Sequence, residues 1–193
     1  MKYASWSYPR AGLAAALLCC MLPHASAGTS PAPAAGLANP TPACGPAQLS
    51  FKADAKNGEF DGMSHSGTLL VLRNRGPVAC TVPARPELTF LDGGGRPVLV
   101  SPRTAPGMHP GPVLLPVTVP AGAELTSVAR WVSSDAYGAN NCVAFESVAI
   151  SLGGRMLTAS LGREGHMCGP ARQNPGYTVS PLGRGSGETS PGQ

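Results

Sequence analysis

At 193 residues the chain is long enough for one domain with a substantial core and too short for two comfortable ones. Its 14 Lys and Arg against 10 Asp and Glu give a net charge of +4, too balanced and too scattered for a nucleic-acid footprint. The 25 glycines and 21 prolines argue against long helices and require many turns.

The first segment reads as an export signal. Lys2 and Arg10 supply a positive start, residues 11–21 are apolar throughout, and Ala25-Ser26-Ala27 is a small-x-small cleavage site. The apolar run, about 11 residues, falls short of the roughly 20 that a spanning helix needs. Residues 1–27 are therefore expected to be a signal peptide cleaved near Ala27, leaving a periplasmic or secreted protein with no transmembrane segment. A lipoprotein acylated at Cys19 or Cys20 is less favoured, because Leu17 and Leu18 stand where a small residue is wanted. Loss of Lys2 and Arg10 leaves 12 basic residues against 10 acidic, a net charge of +2. Lys52, Lys56, Arg73, Arg75 and Arg85 lie near one another in sequence and read as a solvated face.

Four cysteines remain after cleavage: Cys44, Cys80, Cys142 and Cys168. An even count in an exported chain reads as two disulfides, with three possible connectivities. Sequential pairing, Cys44 with Cys80 and Cys142 with Cys168, ties each half of the chain and is the expectation. No two of the four have the short spacing of a structural zinc site.

Residues 28–43, rich in Pro, Ala and Gly, read as a flexible linker. The domain then runs over 44–168. In 48–55, Leu49, Phe51 and Ala53 alternate with polar residues, the period of a half-buried strand. Asn57-Gly58 and Asp61-Gly62 are turn dipeptides. Residues 67–73 have a continuous apolar centre and predict a strand buried on both faces or nearly so. Leu88-Thr89-Phe90-Leu91, a glycine-rich hairpin loop at 92–96 and 98–100 follow. Residues 101–111 read as a loop. Strands are expected at 113–119, interrupted by Pro116 and hence at an edge, and at 124–132, with Leu125, Ala129 and Trp131 on one face. Trp131 is expected in the core with one partner for its indole N–H. Val148, Ile150 and Leu152 lead through Gly153-Gly154 into 155–161, a two-residue hairpin. Residues 169–193 return to Gly, Pro, Ser and Arg and predict a disordered tail.

The first strand opens at a cysteine, and the second ends in Asn74 and is followed by Cys80. Pro86 then precedes Leu88-Thr89-Phe90-Leu91-Asp92-Gly93. This pattern resembles the bacterial secreted family known as domain of unknown function 4232, although the chain has Ala84-Arg85 where that family places Gly-Tyr before the proline. The resemblance implies an immunoglobulin-like β-sandwich outside the cytoplasm, with no assigned activity and no catalytic residues. Strand counting agrees: about seven or eight short strands make an all-β, antiparallel sandwich.

Catalytic patterns are weak. Gly62-Met63-Ser64-His65-Ser66 stops short of a Gly-x-Ser-x-Gly elbow and no helix follows it. Asp54, Glu59 and Asp61 lie in or beside turns, where carboxylates are expected anyway. The more pointed chemistry is Met beside His: Met63 with His65, Met108 with His109, and His166 with Met167. Thioether with imidazole is a ligand set suited to Cu(I) in an oxidising compartment. The leading expectation is a non-enzymatic module, free of cofactors, that binds an envelope protein or cell-surface component through loops or a sheet edge. The alternative is a periplasmic Cu(I)-binding protein using the six Met and His residues.

Overall fold

The structure, a computed structural model, describes residues 40–104, 111, 113–134, 136–137 and 140–185. The expected signal segment, the expected linker before Pro40, and Met108 and His109 lie outside the described residues.

Among the described residues ten strands form: β1 (Leu49–Asp54), β2 (His65–Asn74), β3 (Cys80–Val82), β4 (Leu88–Leu91), β5 (Ser101–Pro102), β6 (Val117–Val119), β7 (Glu124–Val132), β8 (Asn140–Leu152), β9 (Arg155–Pro170) and β10 (Gly176–Val179). One sheet has the order β1-β2-β7-β10-β5 and the other β4-β8-β9, while β3 and β6 pair separately. All pairings are antiparallel except β10 with β5. The fold is the expected all-β, immunoglobulin-like sandwich, with ten strands where the sequence predicts about seven or eight, because short pieces such as β5 and β10 add to the sheet edge.

Strand periodicity builds the core. Leu49 on β1, Leu70 and Leu72 on β2, and Leu125, Ala129 and Trp131 on β7 all point inward from the five-stranded sheet. Phe90, Phe145, Val148 and Ile150 meet them from the three-stranded sheet. At the centre, the Phe90 ring packs edge-on against Phe145, Tyr177 and Trp131, with centroids 4.8, 5.1 and 5.9 Å away. Such pairs add roughly 0.5–1.5 kcal/mol each beyond the area they bury.

Several sequence expectations are corrected. β2 is buried on one face and half-buried on the other: Thr68, Leu70 and Leu72 are inside, Leu69 and Val71 half-buried. Only one side of the strand faces the other sheet. The strand expected at 98–100 is reduced to a bridge between Leu91 and Pro97 and one hydrogen bond from Val98 N–H to the Phe90 carbonyl. β6 starts after Pro116, which lacks the N–H a ladder needs. The largest correction concerns 169–185, the rest of the expected tail, 186–193, lying outside the described residues. β9 runs on to Pro170, and β10 then pairs with β7, Tyr177 opposite Trp131. Tyr177 is buried and its hydroxyl donates to the Leu88 carbonyl (3.1 Å), joining the two sheets, and Leu182 is buried as well. Two apolar side chains and an available sheet edge hold a segment whose composition looks disordered.

The hairpin at Gly153-Gly154 is as expected, with φ of +56° and +77° that glycine alone adopts without strain. Both disulfides form in the sequential pairing, Cys44 with Cys80 and Cys142 with Cys168.

Asn74 ends β2 and is fully buried. Its amide donates to the carbonyls of Val78 (2.8 Å) and Val119 (3.0 Å), and its side-chain oxygen accepts from Gly76 N–H (2.9 Å). One side chain thus shapes the turn and ties it to β6. Asn74→Ala strands the buried Val119 carbonyl and should cost about 2–3 kcal/mol, read by urea denaturation.

Candidate functional site

A cleft of about 200 Å³ opens where the ends of β2 and β7 face the middle of β9. Its lining includes Asp61, His65, Ser66, Trp131, Arg163, Glu164 and His166. The geometry follows from an irregularity in β9. Phe145 pairs with Gly165 and Ser147 with Ser160, so Glu146 alone on β8 stands opposite residues 161–164. The extra residues bulge out of the ladder, and Gly162 adopts φ +72° within them. The bulge frees Arg163 from the strand line and lets it reach the facing sheet.

There Arg163 makes two 2.9 Å hydrogen bonds to the two carboxylate oxygens of Asp61, in the turn before β2. Ser66, on the inward face of β2, donates to the same carboxylate at 2.5 Å and accepts from Arg163 at 3.2 Å. The hydrogen bonds from Arg163, then that from Ser66, hold the Asp61 carboxyl below its ordinary range, and the same contact raises Arg163. Since the folded value lies below the unfolded value of about 4, the stabilising contribution is complete above that pH. It is lost as the pH falls through the folded value. Both side chains are partly exposed, at 45% and 38%, so the pair contributes no more than about 0.5–1 kcal/mol. Asp61→Asn should remove this acid-side dependence, seen as a flatter stability profile below pH 5 in chemical denaturation.

On the other wall the His166 Nε2 lies 3.0 Å from the Glu164 carboxylate, and Ser64 Oγ lies 3.1 Å from His65 Nδ1. Trp131 is 96% buried, yet its indole N–H has no partner among the described residues, contrary to the sequence expectation.

The structure brings His65 and His166 to one cleft although 101 residues separate them in sequence (166 less 65). Of the Met and His pairs, the two among the described residues do not bring thioether and imidazole together. Met167 is fully buried in the core while its neighbour His166 is exposed, because successive residues of a strand point to opposite faces. Met63 stands wholly in solvent. Among the described residues no group of three or more His, Cys, Asp or Glu is placed to hold a metal ion. Asp54 pairs with Lys56 and Ser66 is engaged by Asp61, while in the Gly62–Ser66 stretch the Ser64–His65 contact joins adjacent, exposed residues.

Fold and cleft together describe an immunoglobulin-like sandwich stapled by two disulfides, as suits an oxidising environment. A family model described as a domain of unknown function (DUF4232) matches residues 44–182, and the chain belongs to that family. No curated protein and no solved structure matches it. No helix among the described residues is long and apolar enough to cross a membrane.

Proposed function

We propose that the chain is a non-enzymatic extracytoplasmic binding module, secreted or periplasmic, which takes an envelope or cell-surface component in the cleft between Asp61, Trp131 and Arg163. The observation that carries this reading is a cleft that sets the Asp61, Ser66 and Arg163 cluster beside Trp131, whose buried indole N–H has no partner among the described residues. A ligand that shifts the Trp131 ring would offer an oxygen to that donor, which is costly to leave unmade. Asp61, held ionised and spoken for by Arg163 and Ser66, is a poor proton acceptor. The cleft suits recognition better than turnover.

Trp131 also supplies the reporter. Size-fractionated envelope components titrated into the purified protein should give a saturable change in tryptophan emission with at least one fraction. The change should vanish in Trp131→Phe and need roughly tenfold more ligand in Arg163→Ala. No response from any fraction, or chemical conversion of the bound component, would overturn the reading.

A second reading, Cu(I) binding in the periplasm, has in its favour only that His65 and His166 line one cleft. It requires Cu(I) uptake that is lost on His65→Ala with His166→Ala. Uptake no greater than that of a sandwich without histidines ends it.

A further inference from the structure

We propose a separate binding site on the outer face of the five-stranded sheet, built from Arg85, Arg103 and Arg130, for the phosphate or sulfate group of a small soluble ligand. Arg130 points away from the core on β7, between Gly67 of β2 and Thr178 of β10 in the register. Arg103 follows β5, where its backbone N–H donates to the Tyr177 carbonyl (2.7 Å). Its side chain lies over Gly176, and a Cβ at that position would collide with the Arg103 side chain. Arg85 comes from the loop after β3. The three line a recess of about 260 Å³ together with the hydroxyl-bearing Thr104, Thr178 and Ser180. A neighbouring recess of about 270 Å³ shares Arg103 and Arg130.

Charge gives the ligand its class. Arg73, Arg96 and Arg163 each have a carboxylate partner, whereas Arg85, Arg103 and Arg130 have none among the described residues. No acid lines either recess; Glu87, two residues from Arg85, shares a third recess with it without an ion pair. Arg103 and Arg130 each make one long side-chain hydrogen bond, 3.4 Å to the Asn174 and Phe60 carbonyls respectively. A guanidinium has five N–H donors, so most stay available, in the fork that matches phosphate and sulfate oxygens. The recess is smaller than the roughly 300–1,000 Å³ typical of drug-sized pockets. A concave site of that size favours a compact anionic group over a flat membrane surface.

The test is titration of the purified protein with inorganic phosphate and with sulfate, followed by calorimetry or backbone amide shifts, against chloride at equal ionic strength. Saturable binding is expected, weakened at least about tenfold in Arg103→Gln with Arg130→Gln and unchanged in Arg75→Gln. Gly176→Ala separates geometry from net charge. It keeps every arginine but displaces the flexible Arg103 side chain, so binding should fall while the unfolding midpoint moves little. Three results would overturn the proposal: an equal response to chloride, unchanged binding in the double variant, or arginine-dependent sedimentation with phosphatidylglycerol vesicles without saturable phosphate or sulfate binding. The last would assign the face to a membrane.

Discussion

Phe90→Ala should lower stability by about 3–5 kcal/mol, the largest loss expected of any single side chain here. Phe90 is fully buried at the middle of β4, and its ring touches Trp131 and Tyr177 of the opposite sheet and Phe145 of its own. Truncation removes the transfer free energy of the ring, leaves a cavity between the sheets and takes away three edge-to-face contacts at once. The cavity cannot collapse readily, because the backbones on both sides are held by ladders. Phe90→Leu fills most of the volume and should cost clearly less, about 1–2 kcal/mol. Urea denaturation followed by tryptophan emission measures both. A loss under about 1.5 kcal/mol for the alanine variant would show that Phe90 is not the keystone between the sheets.

Phe90 lies in a stretch that was legible, since Leu88-Thr89-Phe90-Leu91 reads as a strand before any coordinates are seen. Legibility tracked local periodicity. Leu49, Phe51 and Ala53 alternate, as do Val148, Ile150 and Leu152, and those patterns became β1 and β8 with the expected faces. What failed was decided by distant partners. β10 is four residues in a Gly- and Pro-rich surrounding, and only the free edge of β7 and the space beside Phe90 make it a strand. The bulge at 161–164 exists because β8 is shorter than β9 across that span, which neither strand shows alone.

The cleft was hidden for the same reason. Asp61 looks like half of a turn dipeptide, and nothing near it in sequence announces Arg163, 102 residues away. His65 and His166 were visible as candidates, but through Met neighbours that strand alternation turns away or leaves in solvent. The arginine face was obscured by reading charge along the chain. Of Lys52, Lys56, Arg73, Arg75 and Arg85, only Arg85 belongs to it. Lys56 and Arg73 face Asp54 and Glu124, while Arg103 and Arg130 are brought in by β5 and β7.

The remaining large effect concerns the cysteines. Cys44→Ala with Cys80→Ala should cost about 3.5–4 kcal/mol, the value that loop-closure entropy assigns to a cross-link across 36 residues. The native contacts on that side are few: Cys44 N–H to the Thr81 carbonyl, Thr81 N–H to the Pro42 carbonyl, and the bridge between Ala43 and Thr81. Without the covalent tie, these do little to hold the chain start against β3. The second disulfide differs in exposure. Cys44 and Cys80 are both buried, whereas Cys142 lies on the surface across from Cys168 in the β8–β9 pair. A thiolate can reach Cys142 in the folded protein but must wait for opening to reach Cys80, since exchange requires access to the sulfur. Graded dithiothreitol followed by alkylation and peptide mapping should therefore release Cys142 and Cys168 first, with the fold retained. Cys44 and Cys80 should become reactive only as tryptophan emission reports unfolding. Release in the opposite order, or a loss below about 1 kcal/mol in the Cys44 and Cys80 double variant, would mean that the buried cross-link is not what anchors the start of the domain.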